Sequence, residues 1–256
     1  MSWADDELAA PMGFKYAVLF PRARDAMSAY QYWTETDYFI VPENICPSLR
    51  RMVKPVKMNQ ETGLCSAPVH LYGYRVGGSA TIELDPLMTG WGRPPQAPSC
   101  IVSFGLKKFL SIGHGGALLT NDQALAEQLE PAGHWPFGEK DEPTALLRAS
   151  LKFFVRAKIA KFDKVNLWDR HLGDMLARIP MEQVIPWRVM RRAPNRRDLI
   201  VMSLRRAGHD VGTNYQPLTG RNEFGDTVIN FSLADDYDED KIKDACKIIG
   251  RNTLHG

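Results

Sequence analysis

The sequence lacks any run of roughly 18–20 uncharged apolar residues, which excludes a membrane-spanning helix at the level of sequence. Its N-terminus, MSWADDELAAP, is acidic and has neither the positive n-region nor the apolar core of a secretory signal, so a cytoplasmic protein is expected. Cysteine is scarce: Cys46, Cys65, Cys100 and Cys246 are scattered, and no CxxC pair offers a zinc or thiol-redox site. Reduced, partly buried thiols and no metal centre are expected. Charge of one sign is also lacking: 32 Lys and Arg against 30 Asp and Glu leave +2, too little to draw nucleic acid or an anionic membrane. Internal repeats and low-complexity tracts are absent, which excludes a solenoid.

What remains is an ordinary globular composition in 256 residues, enough for one domain or two unequal ones. Short β-branched or apolar runs alternate with amphipathic stretches, the pattern of an α/β layer architecture. KYAVLF (15–20), YFIV (38–41), VKPVKM (53–58), SAPVHLYG (66–73), SATIELD (79–85), SCIVSF (99–104) and GALLTN (116–121) read as strands. ARDAMSAYQYW (23–33) and DQALAEQLE (122–130) read as helices, the second capped by Asn121 or Asp122. PENICPSLRRMV (42–53) suits a turn or a helix start. A Pro- and Gly-rich stretch, 131–144, marks the exit from a first domain (12–140). The remainder (141–256) holds a long amphipathic region (145–179) and a small α+β unit with a helix over 196–208 ending at Gly208, a strand over 227–233 and a closing helix over 238–250. The basic stretch RVMRRAPNRR (188–197) fits either a solvated helix end or loop, or an anion-binding surface.

The segment SFGLKKFLSIGHGGALLTND (103–122) is the least ordinary. It places Lys107 and Lys108 in an apolar run and follows them with Gly113, Gly115 and Gly116. One account is that both lysines snorkel to water from an edge strand. The other is chemical: desolvation disfavours the ammonium, leaving a neutral amine able to attack a carbonyl, while the glycines let backbone approach a ligand.

As a whole this segment resembles the lysine motif of the DegT/DnrJ/EryC1/StrS family of sugar aminotransferases, which use pyridoxal 5'-phosphate (PLP). The motif runs Ser-Phe, three variable residues, the cofactor lysine, then a Gly-x-Gly-Gly and a strand ending Thr-Asn-Asp. Counted on this chain, the lysine is Lys108 and the serine Ser103. TIELDPLMTG (81–90) resembles the family's stretch around the aspartate that holds the pyridine nitrogen, which makes Asp85 the candidate. The glutamine or histidine that follows in the family is replaced near Met88 or Thr89. FKYAVLFPRARDAM (14–27) resembles the strand, turn and helix that cradle the phosphate, with the Ser-Gly-Thr turn replaced by Arg22-Ala23-Arg24. Arg24 and the Ala23 N–H then become the phosphate partners. FIVPENICPSL (39–49) resembles the segment that stacks on the ring, with Cys46 in place of an aromatic, and 195–218 resembles the family's C-terminal unit. His114 stands where the family more often has Glu.

The resemblance implies an α/β, fold-type-I PLP-dependent transferase. It would have a mixed, mostly parallel sheet flanked by helices, a small C-terminal α+β domain, and a homodimeric assembly. It implies an internal aldimine at Lys108, an amino group taken from glutamate and delivered to a nucleotide-linked keto-sugar, and a use in polysaccharide biosynthesis. Arg188, Arg191 and Arg192 are candidates for the diphosphate. Two alternatives stand beside it: a PLP-dependent sugar dehydratase of the same fold, and a family member that binds a ligand or partner without catalysis.

Overall fold

A computed structural model of the chain describes residues 2–42, 45–46, 49–56, 82–84, 97–105, 108, 110–138, 140–179, 188–194, 196–213, 223–234 and 236–253. After short helical turns at Asp5–Ala9 and Ala10–Met12, the first half gives β1 (Tyr16–Phe20), α1 (Ala23–Trp33), β2 (Phe39–Pro42), β3 (Val53–Val56), β4 (Glu83–Leu84), β5 (Ser99–Ser103), β6 (Gly116–Thr120) and α2 (Gln123–Leu129). The second half gives α3 (Glu142–Leu172), β7 (Ala177–Arg178), β8 (Arg188–Arg192), α4 (Arg197–Arg206), β9 (Val211–Thr213), α5 (Glu223–Thr227), β10 (Val228–Ser232) and α6 (Glu239–Thr253). The strand expected over 66–73 lies outside the described residues.

The first sheet runs β1-β6-β5-β4. β6 is buried along its whole length, and β5 along all but its last residue. The period of two divides their side chains between two cores. Ile101 and Leu118 face one side with α1 and α2, through Ala26, Met27, Tyr30, Ala126 and Leu129. Cys100, Val102, Ala117 and Leu119 face the other, under Leu8, Met12 and Phe14 and the start of α3 at Leu147 and Leu151. Cover on both faces is why these strands read as unbroken apolar runs. Each fully buried aliphatic or aromatic side chain here contributes about 1.5–3 kcal/mol. The sheet is mixed: β4 and β5 are parallel, whereas β1, β6 and β5 pair antiparallel. Among the described strands, parallel pairing is confined to β4–β5 and to the separate β2–β3 pair, so the expected mostly parallel character is not seen in these residues.

α1 begins at Ala23, because Arg22 is still extended (φ −149°, ψ 149°). Asp25 in its first turn complements the helix dipole and pairs with Arg22. α2 is capped by Asp122, whose side chain accepts from the Leu125 N–H at 3.1 Å. Of the expected turn or helix start over 42–53, Pro42 and Val53 belong to β2 and β3, and the described residues between them turn tightly, with the Leu49 N–H on the Cys46 carbonyl and the Met52 N–H on the Leu49 carbonyl.

The second sheet, β7-β8-β10-β9, is antiparallel throughout and packs on α4, α6 and the end of α3. α3 stops at Gly173 (φ 49°), short of the expected 179, and β7 occupies the remainder. Trp168 on α3 is fully buried, its ring 4.6 Å from Phe231 and its indole N–H on the Ser232 carbonyl at 3.2 Å. α4 closes at Gly208 (φ 83°) as expected.

The basic stretch is neither a solvated end nor an open anion surface: Arg188–Arg192 is β8, with Val189 and Met190 fully buried. Arg188 donates to Asn230 Oδ1 (2.9 Å) and Asp210 Oδ2 (2.7 Å). Arg191 is buried against Asp169 and the Met190 carbonyl. These arginines are spent inside the fold, which removes Arg188 and Arg191 as holders of a diphosphate.

Candidate functional site

β5 and β6 end their ladder on the pair Ser103 and Gly116. The chain between them, 104–115, folds back on itself. The Phe104 N–H donates to the Gly115 carbonyl (3.1 Å), the Ile112 N–H to the Phe104 carbonyl (3.0 Å), and Gly105 bridges to Gly113. Phe104 and Leu110 are buried in the core beneath. Phe104 and Leu110 are therefore anchors, and Lys108 emerges half-buried on the wall of a cavity, its N–H on the Gly105 carbonyl at 3.3 Å. Lys107 lies outside the described residues. Ser103, also half-buried, accepts the Gly105 N–H at 3.4 Å through its hydroxyl.

The N-terminus of α1 is brought to the same place. The Gly115 N–H donates to the Pro21 carbonyl at 2.8 Å, and Gly115 bridges to Arg22. A Cβ on Gly116 would sit 2.5 Å from the N and Cα of Ala23, so only glycine allows this approach. The N–H groups of Ala23 and Arg24 open the helix, where the backbone has no intrahelical acceptor. The Arg22 guanidinium is held by Asp25 (2.9 and 3.1 Å), which favours its charged form further. Arg24 is exposed, and its side chain has no partner among the described residues.

These elements enclose a cavity of about 340 Å³, within the roughly 300–1,000 Å³ of small-molecule sites. It brings together Lys108, Ser103, Ala23, Arg24 and Cys46 from three separate stretches of sequence. Asp85 lies outside the described residues, but Leu84, its neighbour in the chain, lines the wall. Met27, Leu49, Ile101 and His114 complete it. The first three were read from sequence only as core or turn residues. For His114 the signal was its unusual place in the glycine motif, which gives no hint of its surroundings. Its ring lies 4.8 Å from Phe137 and 6.5 Å from Trp135, both from the Pro- and Gly-rich stretch after α2.

No family model matches the chain, and no curated protein matches it. Solved structures do. A DegT DnrJ EryC1 StrS aminotransferase from Brucella abortus superposes with a TM-score of 0.77 at 15% identity, covering 98% of this chain and 89% of that one. DesV from S. venezuelae, solved in complex with a ketimine intermediate, gives 0.76 at 16%, covering 98% and 88%. PseC of Helicobacter pylori, an aminotransferase of pseudoaminic acid biosynthesis, gives 0.74 at 14%, covering 97% and 90%. The chain has the fold of the DegT/DnrJ/EryC1/StrS aminotransferases.

Within this fold the described residues contain no cluster of three or more His, Cys, Asp or Glu able to hold a metal. No helix among them is long and apolar enough to cross a membrane. The chain spans most of each aligned structure.

Proposed function

We propose that this protein is a PLP-dependent aminotransferase that moves an amino group from glutamate to a nucleotide-linked keto-sugar, working as a cytoplasmic homodimer. The observation that carries the reading is the convergence of Lys108, Ser103 and the N-terminus of α1 on one cavity, in the fold of solved sugar aminotransferases. The cofactor fits the donor set. An amine faces a space large enough for a ring, and a hydroxyl, a guanidinium and unpaired helix-start amides suit a phosphate. The close approach at Gly116 shapes that cradle.

When bound, PLP supplies an aldehyde for an amine and a ring that takes up an electron pair from the substrate carbon. Lys108 is the residue that would hold it covalently. Once released by the amino donor, the Lys108 amine would take the proton from the donor's Cα as base and deliver it to the cofactor carbon as acid. Asp85 would keep the ring nitrogen protonated, Ser103, the Ala23 N–H and Arg24 would hold the phosphate, and Cys46 would face the ring. In this reading 12–140 is the cofactor domain and 141–256 the linker helix and small domain. Exposed Tyr32 and Trp33 in the last turn of α1, with Tyr38 after it, offer apolar area for the second subunit.

The test is direct. Wild-type protein loaded with PLP turns yellow, and borohydride reduction leaves the cofactor mass on the Lys108 peptide. Lys108→Ala loses both, while Lys107→Ala keeps them. Glutamate then discharges the colour. Retained colour in glutamate sinks the aminotransferase reading in favour of a dehydratase, and failure of the wild type to take up PLP leaves a non-catalytic binder.

A further inference from the structure

Trp135 comes from the Pro- and Gly-rich stretch after α2, whose composition marks only a loop. Its half-buried indole is held at two ends. At one end Nε1–H donates to Thr144 Oγ1 at 2.9 Å, and Thr144 is fully buried in the first turn of α3. At the other end the six-membered ring presses on Gly115: a Cβ placed there would stand 2.8 Å from Cζ3 and 3.0 Å from Cη2. Phe137 packs edge-on against the same indole at 5.4 Å, and the core of Phe104, Leu110 and Leu147 lies beneath it.

Gly115 is the junction of the site. Its N–H donates to the Pro21 carbonyl (2.8 Å), its carbonyl accepts the Phe104 N–H (3.1 Å), and it bridges to Arg22. One residue therefore joins the start of the Lys108 loop to the entry of α1. At φ 90° it has no side chain to hold itself in place, and the indole of Trp135 occupies the space where a Cβ would lie. The described wall of the Lys108 cavity includes Gly115 and not Trp135. Any effect of Trp135 on that cavity passes through Gly115.

We propose that Trp135 is a positioning residue: pressed on Gly115 and tied to α3 through Thr144, it fixes the Lys108 loop against the N-terminus of α1. That this placement serves amino transfer rests on the function proposed above. A misplacement of about 1 Å at a reacting group can cost on the order of a hundredfold in rate. A residue that only fills space would lower stability and leave the rate of each folded molecule unchanged. The two roles are therefore separable by experiment.

Two measurements test it, each on wild type, Trp135→Phe, Thr144→Val and Thr144→Ser. Trp135→Phe withdraws the ring edge and the N–H, Thr144→Val removes only the acceptor, and Thr144→Ser keeps it. The first measurement uses cofactor-free protein and follows deuterium exchange in the peptide over 103–116, with β10 as the internal reference. Exchange over 103–116 should quicken about tenfold in Trp135→Phe, by a smaller factor in Thr144→Val, and not at all in Thr144→Ser, while β10 keeps its wild-type rate. Unchanged exchange over 103–116 in both Trp135→Phe and Thr144→Val, or equal quickening of β10, overturns the proposal. The second measurement follows a single turnover of PLP-loaded protein, read as the loss of colour after mixing with saturating glutamate. Its rate constant does not depend on how many molecules are competent. It should fall about tenfold in Trp135→Phe and Thr144→Val and stay at the wild-type value in Thr144→Ser. A wild-type rate constant with a smaller amplitude in Trp135→Phe would reduce Trp135 to a packing residue and refute the positioning role. If the wild type takes up no PLP while exchange over 103–116 responds as expected, the proposed reaction fails and the hold of Trp135 on the Lys108 loop stands.

Discussion

Gly116→Ala puts the packing of the site to the test. The added Cβ would lie 2.5 Å from the N and Cα of Ala23 and 2.9 Å from its Cβ, whereas ordinary contact begins near 3.4 Å. A gap of about 1 Å must open, and on the helix side the atoms in the way are mostly backbone of the first turn of α1. On the strand side Gly116 is held by its ladder partners Phe20 and Ser103. Overpacking of this kind costs about 1–3 kcal/mol. For a chain of this length that lowers Tm by about 2–12 °C. In the proposed site the same 1 Å shift would draw the Ala23 N–H and Arg24 away from the phosphate. A charge-assisted contact of about 1.5–3 kcal/mol is then lost, so PLP affinity should fall by roughly one to two decades. Gly250→Ala is the control: its Cβ meets only Met175 Sδ at an ordinary 3.6 Å, and alanine in α6 should add up to about 1 kcal/mol. Thermal melting and PLP titration of both variants decide the matter. Wild-type melting in Gly116→Ala would refute the close approach, and wild-type PLP affinity with lowered Tm would refute the phosphate seat alone.

Arg24→Ala should weaken PLP binding by roughly one to two decades, and Arg22→Ala by less, since Arg22 is engaged with Asp25; equal affinities in a PLP titration would hand the phosphate to backbone and Ser103. Asp85→Asn should still take up PLP but lose its discharge by glutamate, followed by absorbance, because an amide does not keep the ring nitrogen protonated; normal discharge would free Asp85 of that role. Glu7 accepts from Arg148 at 2.9 and 2.5 Å, and this hydrogen bond, with the nearby charges of Arg148 and Lys152, holds its carboxyl below the usual 4.5. A depressed folded value means that its stabilisation is present in full above the unfolded value and is lost as pH falls through the folded one. The stability gap between wild type and Glu7→Gln, read by urea unfolding, should stay below about 1 kcal/mol at pH 7 and shrink from pH 5 to pH 3; a constant gap would refute the pair.

Local rules carry the chain a long way. The bounds of α1 follow from the extended Arg22 and the apolar spacing of Ala26, Met27 and Tyr30, and Asp122 and Gly208 cap helices as their residue types require. In the lysine segment Phe104 and Leu110 are buried and Lys108 is half-buried, as apolar residues flanking a lysine suggest. The arginines of β8 do not yield in this way. Five residues with three arginines look solvated until Asp169 and Asp210, each 22 positions away, are brought alongside. Nothing local encodes such partners. His114 is the same case in the site itself. Its motif marks it as unusual, but Phe137 and Trp135 reach it from a stretch whose composition reads only as a loop.

The backbone amide of Gly115 is bonded to the Pro21 carbonyl, and the residues on either side of the loop belong to the central ladder of the sheet. A site built this way has little freedom to open by itself. Its amides should exchange with deuterium at the slow rate of the whole sheet, not at the rate of a surface loop. Damage anywhere in that sheet then acts as a titration of the number of competent molecules: weak core variants lower the fraction able to bind while each surviving molecule keeps wild-type affinity.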